Sequence, residues 1–316
     1  MTTELNLFDL HCDTPFELYL HGSSLDENSH HVSLANADAY QNYTQVMAIW
    51  SNRRQNDDSA FRSFHKIADY LMHELERLSD RITFVRDKEG YASASTQAKI
   101  FLAVEDARIL GGVPDRLKVL YARGVRFLTL TWSGESCIGG AFDTEAGLTD
   151  FGKSVVKDCF TLGIVPDVSH ASEQTAEDAF ILAEQHGKPV IATHSCAHSV
   201  YAHPRNLRDG QFETIKRLGG IVGVSFCDIH LADKNQKETI DITDVIRHVE
   251  HYMSLGGEDV VAFGTDFDGA DMPRGISHPS DLIQIGEELA RLNYSDTQIK
   301  KLFSENAIRF VNQNLI

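Results

Sequence analysis

No stretch of the chain approaches the ~18 uninterrupted apolar residues that a membrane-spanning helix needs, so the simplest route into a bilayer is missing. Positive charge is scarce as well. Lysine and arginine total 29 against 46 aspartates and glutamates, a formal net charge of −17. A nucleic-acid partner needs a basic footprint, and an anionic membrane surface attracts the same charges, so both are argued against; the acidic surplus reads first as solubility. Cysteine is sparse and scattered. Cys12, Cys137, Cys159, Cys196 and Cys227 are odd in number and contain no Cys-x-x-Cys pair, which argues against a disulfide framework and fits a reducing cytoplasm. The opening Met1-Thr-Thr-Glu-Leu-Asn lacks the basic stretch and apolar core of a signal peptide. Linkers, low-complexity tracts and domain-scale repeats are absent too. The expectation is therefore one cytoplasmic domain spanning residues 1–316.

What is present is apolar and periodic. Hydrophobic residues make up 42% of the chain, enough for a large core. Short runs rich in Val, Ile, Leu and Phe recur at Leu7–Leu10, Gln45–Trp50, Ile100–Val104, Val125–Leu130, Ile164–Val168, Val190–Ala192, Ile221–Phe226 and Val260–Phe263. Such runs read as strands of a parallel sheet buried on both faces. Helical spacing lies between them. Phe61, Phe64, Ile67, Ala68 and Leu71 share one face, as do Val245, Val249 and Tyr252 before a Gly256-Gly257 stop. Thr149 precedes a helix that Gly163 ends, Ser172 caps another, and two more are expected after Ser280 and Ser295. Eight strands alternating with helices predict an α/β fold, a (β/α)8 TIM-type barrel; a doubly wound open sheet is the competitor. Residues 51–59 and 228–240 read as loop insertions able to overhang a site.

The ends of these runs carry the chemistry. The first ends in Asp9-Leu-His11-Cys-Asp13, the third in Val104-Glu105-Asp, the fifth in Asp167-Val-Ser-His170, the sixth in Thr193-His194-Ser and the eighth in Gly264-Thr-Asp266-Phe-Asp268-Gly. Strand C-termini of such a barrel converge on one mouth, where active sites lie. Side chains two apart on a strand point the same way, so His11 and Asp13 can reach one metal while Cys12 faces away. Imidazoles with carboxylates suit zinc, with manganese or iron left open. Each residue also has a plainer reading: His11 and Asp13 as a buried pair, Glu105 as a loop start, His170 beside a helix cap, His194 as a core histidine. His30, His31, His65, His73, His186, His248 and His251 read as solvated or packing residues; His198 and His203 lie nearer the proposed site.

With Phe127-Leu-Thr-Leu-Thr and His203-Pro-Arg-Asn-Leu added to those strand ends, the chain resembles the membrane (renal) dipeptidase family and its bacterial relatives, nearly end to end. The resemblance implies an amidohydrolase-type barrel in which His11 and Asp13 hold one zinc, His170 and His194 the other, and Glu105 bridges both. It implies that Arg205 grips the substrate's free carboxylate and that Asp266 takes the proton of a hydroxide-forming water shared by the two ions. It implies a dipeptide substrate (L-L, with L-D tolerated) and a homodimer. Asp268 is expected to support its own turn. Two departures stand out. Trp132 occupies a place where many relatives carry an oxyanion-stabilising histidine, and is expected to line the site. Cys227 stands where an aromatic is common, which leaves contacts to the substrate's N-terminal part open. An amidohydrolase acting on another amide or a lactone, and a non-catalytic metal- or peptide-binding protein, are the alternatives.

Overall fold

The computed structural model of the chain describes residues 5–233, 235 and 239–316. Its eight strands are β1 (Leu7–Cys12), β2 (Tyr43–Trp50), β3 (Ile82–Phe84), β4 (Ala98–Glu105), β5 (Val125–Thr129), β6 (Val165–Asp167), β7 (Val222–Val224) and β8 (Val261–Phe263). All pair in parallel; seven of them run in the order β6-β5-β4-β2-β1-β8-β7, and β3 pairs with β4 off that path. The Val190–Ala192 run closes the ring between β6 and β7. It does so by single bridges, Asp167 to Ile191 and Ala192 to Val222, rather than as a regular strand. The reason lies at its two ends. Pro189 has no amide hydrogen to extend a ladder, and the Thr193 amide donates to the Asp167 carboxylate (3.0 Å) instead of to backbone. Eight barrel positions result, a mixed α/β fold of TIM-barrel type.

β3 was not expected from the sequence. It pairs with Ala98–Ile100 of β4, while β5 takes Leu102–Glu105 of the same strand. β2 occupies the other edge of β4 throughout, so β3 fills the lower half of an edge that β5 covers above. The barrel interior is apolar and alternates along the strands: Phe8 and Leu10, Val46 and Ala48, Phe101 and Ala103 share one buried cluster. Phe310, Val311 and Leu315 belong to the same cluster, so the last helix, Asn306–Asn314, caps that interior.

Outer helices form where the spacing predicts. Asp57–Arg77 buries Phe64, Ile67, Ala68 and Leu71. Thr149 caps Asp150–Leu162, and Gly163 ends it in the left-handed region (φ +83°) that a residue without Cβ adopts freely. Ser172 caps Glu173–His186 and Ser295 caps Asp296–Lys300. The helix expected after Ser280 begins earlier, as a 3-10 turn at Pro279–Leu282 that leads into Ile283–Arg291. Two loop readings are corrected. The first segment turns helical at Asp57, capped by Asn56. Its preceding residues are pinned by Arg108, which donates to the carbonyls of Ser51, Asn52 and Gln55. The second contains a helical turn, Asp228–Leu231; positions 234 and 236–238 of it lie outside the described residues. No helix among the described residues is long and apolar enough to cross a membrane.

Candidate metal centre

The strand ends meet at one mouth, and a local irregularity decides which side chains face it. In β1, Phe8 and Leu10 point into the barrel. Strict alternation would send Cys12 inward and His11 outward. The register against β2 shifts between Asp9 and Cys12, however, and a bulge of this kind re-aims the following side chains. Cys12 packs into the outer cluster, while His11 Nε2 lies 3.5 Å from Asp13 Oδ2 and 4.0 Å from Glu105 Oε1. Glu105 follows β4's own alternation inward after Phe101 and Ala103.

Glu105 is the hub. Its Oε1 is 2.9 Å from His170 Nε2 and 3.4 Å from His194 Nε2, and those two nitrogens are 2.9 Å apart. The His11 and His194 rings stack with centroids 3.7 Å apart. All five side chains are buried or nearly so. Hydrogen bonds behind the rings assign the tautomers. His170 Nδ1 faces the Trp132 carbonyl at 3.1 Å, an acceptor only, so Nδ1 carries the hydrogen. Thr193 Oγ1 donates to Asp167 Oδ2 (2.6 Å), so it accepts from His194 Nδ1 at 2.8 Å. Both rings therefore turn a bare Nε2 lone pair toward each other and toward a carboxylate oxygen. Three such groups repel at these distances unless a cation or proton stands among them.

The charges of the protein groups agree. Burial, with Arg205, His11 and His230 adding to it, holds His170 and His194 well below the usual imidazole range, in the neutral form a metal needs. Burial also pulls His11 down, but Asp13, Glu105 and Asp266 outweigh it and push that ring up to about 10. Glu105 is driven well above the carboxylate range by burial and by Asp13. Asp266 rises to about 6, mostly through burial, against the pull of His11. His11 Nε2 and Asp13 Oδ1 are buried without a hydrogen-bond partner. Orphaned donor atoms, neutral imidazoles and crowded carboxylates fit a divalent cation, and His11–Glu105–His194 and His11–Asp13–Asp266 are each spaced to hold one.

Behind the ligand-type residues lies a layer that sequence reasoning did not single out. Thr265 donates its amide (2.8 Å) and hydroxyl (2.6 Å) to Asp9. Thr193 donates its amide (3.0 Å) and hydroxyl (2.6 Å) to Asp167, which also takes Thr129 Oγ1 (2.6 Å) and the Ser169 amide (2.8 Å). The same device, a Thr immediately before His194 or Asp266 tied to an Asp on the neighbouring strand, thus anchors two separate strand ends. His170, Asp266 and Asp268 have φ of 69°, 67° and 65°, conformations that cost energy in residues with a Cβ and recur at functional sites. At Gly269 a Cβ would strike the Asp13 and Asp266 carboxylates.

The remaining candidates fall around this cluster. Arg205 is 4% exposed and donates to Ser195 Oγ (2.9 Å) and the His194 carbonyl (2.8 Å), while its buried Nε has no partner. Trp132 stacks edge-on against Trp50 (5.2 Å) and lies 6.2 Å from the His170 ring. Trp50, at the end of β2, continues that strand's inward alternation, and its indole nitrogen is buried and unpartnered. Asp268 does more than shape its turn: it accepts from Thr14 Oγ1 (2.6 Å) and the His31 amide (2.7 Å), tying the start of the helix Thr14–His21 to the loop around His31. His198 contacts Arg208 away from the cluster, whereas His203 lies 5.1 Å from His230. His230 was not noticed in the sequence. Its signal was the spacing Cys227-Asp-Ile-His230 after a strand end, one helical turn.

Comparison with known proteins agrees in one direction. The model of the membrane dipeptidase family, peptidase family M19, matches residues 1–315. A Klebsiella pneumoniae protein described as an uncharacterized protein in the pqqA 5'region is 33% identical over 215 residues, 65% of this chain and 78% of that protein. The solved structure of dipeptidase AC, an M19 metallopeptidase, superposes with TM-score 0.90 at 25% identity, covering 98% of both chains. A Rhodobacter sphaeroides metallopeptidase liganded with a phosphinate mimic of the dipeptide L-Ala-D-Ala superposes with TM-score 0.89 at 24% identity, covering 98% of this chain and 99% of that one.

Proposed function

The chain belongs to the membrane dipeptidase family, peptidase family M19, and is a metal-dependent dipeptide-hydrolysing enzyme; from that premise we propose that it cleaves small dipeptides at a two-zinc centre. His11 and Asp13 would hold one ion and His170 and His194 the other, with Glu105 serving both. The observation that carries this reading is the meeting of His170 Nε2, His194 Nε2 and Glu105 Oε1 within 3.4 Å, with both Nδ1 hydrogens committed elsewhere.

When bound, the two ions supply a water that ionises near neutral pH and a Lewis acid for the peptide carbonyl. The chain's own residues do the rest. Asp266, 4.0 Å from His11 Nε2 and raised to about 6, takes the water's proton and returns it to the leaving amine. Arg205, held by Ser195 and the His194 carbonyl, keeps its Nε and further N–H groups for the substrate's C-terminal carboxylate. Trp50 and Trp132 form an aromatic wall beside His170 that keeps bulk water from one side of the bond. Because the R. sphaeroides relative is liganded with an L-Ala-D-Ala mimic, L-D dipeptides stand beside L-L ones as substrates.

A panel of L-L and L-D dipeptides, each with a free and an amidated C-terminus, tests this on zinc-loaded protein. Free dipeptides are hydrolysed, and amidation lowers kcat/KM roughly 10–100-fold through loss of a charged hydrogen-bond partner. Failure to cleave any free dipeptide refutes the reading; equal rates for amides remove Arg205 from it.

A further inference from the structure

Asp266 belongs to two clusters. One is shared with His11 and Asp13. In the other, a Cys227 sulfur, a His230 ring nitrogen and an Asp266 carboxylate oxygen all lie within 4.8 Å of one another, and all three residues are buried. Cys227 lies three residues beyond Val224, the last residue of β7, and the turn Asp228–Leu231 brings His230 back over it, with the His230 amide donating to the Cys227 carbonyl (2.9 Å). This backbone is fixed from several sides. Asn206 donates to the His230 carbonyl (2.8 Å), the Cys227 amide donates to Ser225 Oγ (3.2 Å), and the Phe226 amide to the Thr265 carbonyl (3.2 Å). Among the described residues, neither the Cys227 thiol nor a His230 ring nitrogen has a hydrogen-bond partner.

We propose that Cys227, His230 and Asp266 form a third cation site, for a soft or borderline divalent ion, zinc foremost, and that filling it withdraws Asp266 from proton transfer. One sulfur, one imidazole and one carboxylate, with a fourth position for water, is a donor set that tetrahedral zinc accepts. The neighbouring Cys196 thiol is already committed, donating to the Ser225 carbonyl (3.1 Å). Burial, aided by Arg205 and His203, keeps His230 neutral, so its lone pair is free. Burial and the Asp266 charge keep Cys227 a thiol; ion binding expels that proton to solvent as the S–metal bond forms. The site gives the enzyme a brake at high zinc. That consequence rests on the proton role proposed for Asp266; the binding of the ion does not.

The test is a cobalt(II) titration of chelator-treated, full-length protein followed by near-ultraviolet absorption, with zinc stoichiometry by equilibrium dialysis and dipeptide turnover at low and excess zinc. In the wild type a thiolate-to-cobalt charge-transfer band grows in after the tighter sites fill, and excess zinc lowers turnover by roughly 100-fold. In Cys227→Ser the band is lost, one ion fewer binds, and excess zinc changes turnover little relative to that variant's own low-zinc rate. His230→Gln, with the thiol intact, shifts the band's onset to higher cobalt. No sulfur band at any cobalt concentration, or a band that survives in Cys227→Ser, overturns the site. A band without zinc inhibition upholds the site and overturns the brake, together with the Asp266 role, and leaves the two-metal reading to its own test.

Discussion

At the scale of single residues, the chemistry of the mouth is set as much by what stands behind the ligand-type side chains as by the side chains themselves. His194 can offer Nε2 only because Thr193 fixes its Nδ1 hydrogen, and Thr193 is fixed in turn by Asp167. Such outer partners typically govern metal affinity by about 10–100-fold. Thr193→Val keeps the volume and removes the hydroxyl; it is expected to weaken zinc binding by that factor while leaving the far-ultraviolet spectrum intact, and an unchanged zinc affinity in a competition assay counts against the assignment. The types and spacing of His11, Asp13, Glu105, His170, His194 and Asp266 were legible in the sequence as strand ends. The Thr-to-Asp supports were not, because a threonine before a histidine is unremarkable until the neighbouring strand is known.

At the scale of elements, apolar runs and caps were readable because burial and capping are local. What was not readable was where regularity fails. The β1 register shift, the reduction of 190–192 to bridges and the insertion of β3 all arise from pairing with distant strands. His248 shows a consequence for stability. It sits on the helix Ile242–Ser254, fully buried, accepting from the Ala197 amide (3.0 Å) and placing Nε2 3.0 Å from the Leu231 carbonyl. It thereby joins three segments. Burial lowers it to about 4, whereas an unfolded histidine titrates near 6.5. The unfolded chain therefore gains a proton first on acidification, so stability is complete above pH ~6.5 and falls toward pH ~4, by about 3 kcal/mol from this residue. Urea melts across that range should show His248→Gln with a correspondingly shallower acid loss, on top of a pH-independent cost. Parallel curves for the two proteins contradict the assignment.

At the scale of the whole molecule, the family motifs were visible because they occupy the strand ends, and the barrel follows from the alternation of runs and helices over nearly the full chain. At the mouth Asp13, Glu105 and Asp266 crowd around His11. A folded chain that holds ions there is stabilised by them, by about 2.7 kcal/mol when free zinc is 100 times its dissociation constant. Chelation is therefore expected to lower the unfolding temperature reversibly, with the loss much smaller in Glu105→Gln, which lacks the proposed bridge. An equal loss in both proteins would place the stabilising ions elsewhere.

The central claim is that these five side chains build a two-metal hydrolytic centre. Stepwise zinc reconstitution of chelator-treated protein, with L-Ala-L-Ala and L-Ala-D-Ala turnover read at each addition, addresses it most directly. Turnover is expected to climb until two tightly bound ions per chain are present, and to stay absent in Glu105→Gln at the same zinc levels. Full activity at a single ion, or zinc-saturated protein that turns over no dipeptide, would contradict it.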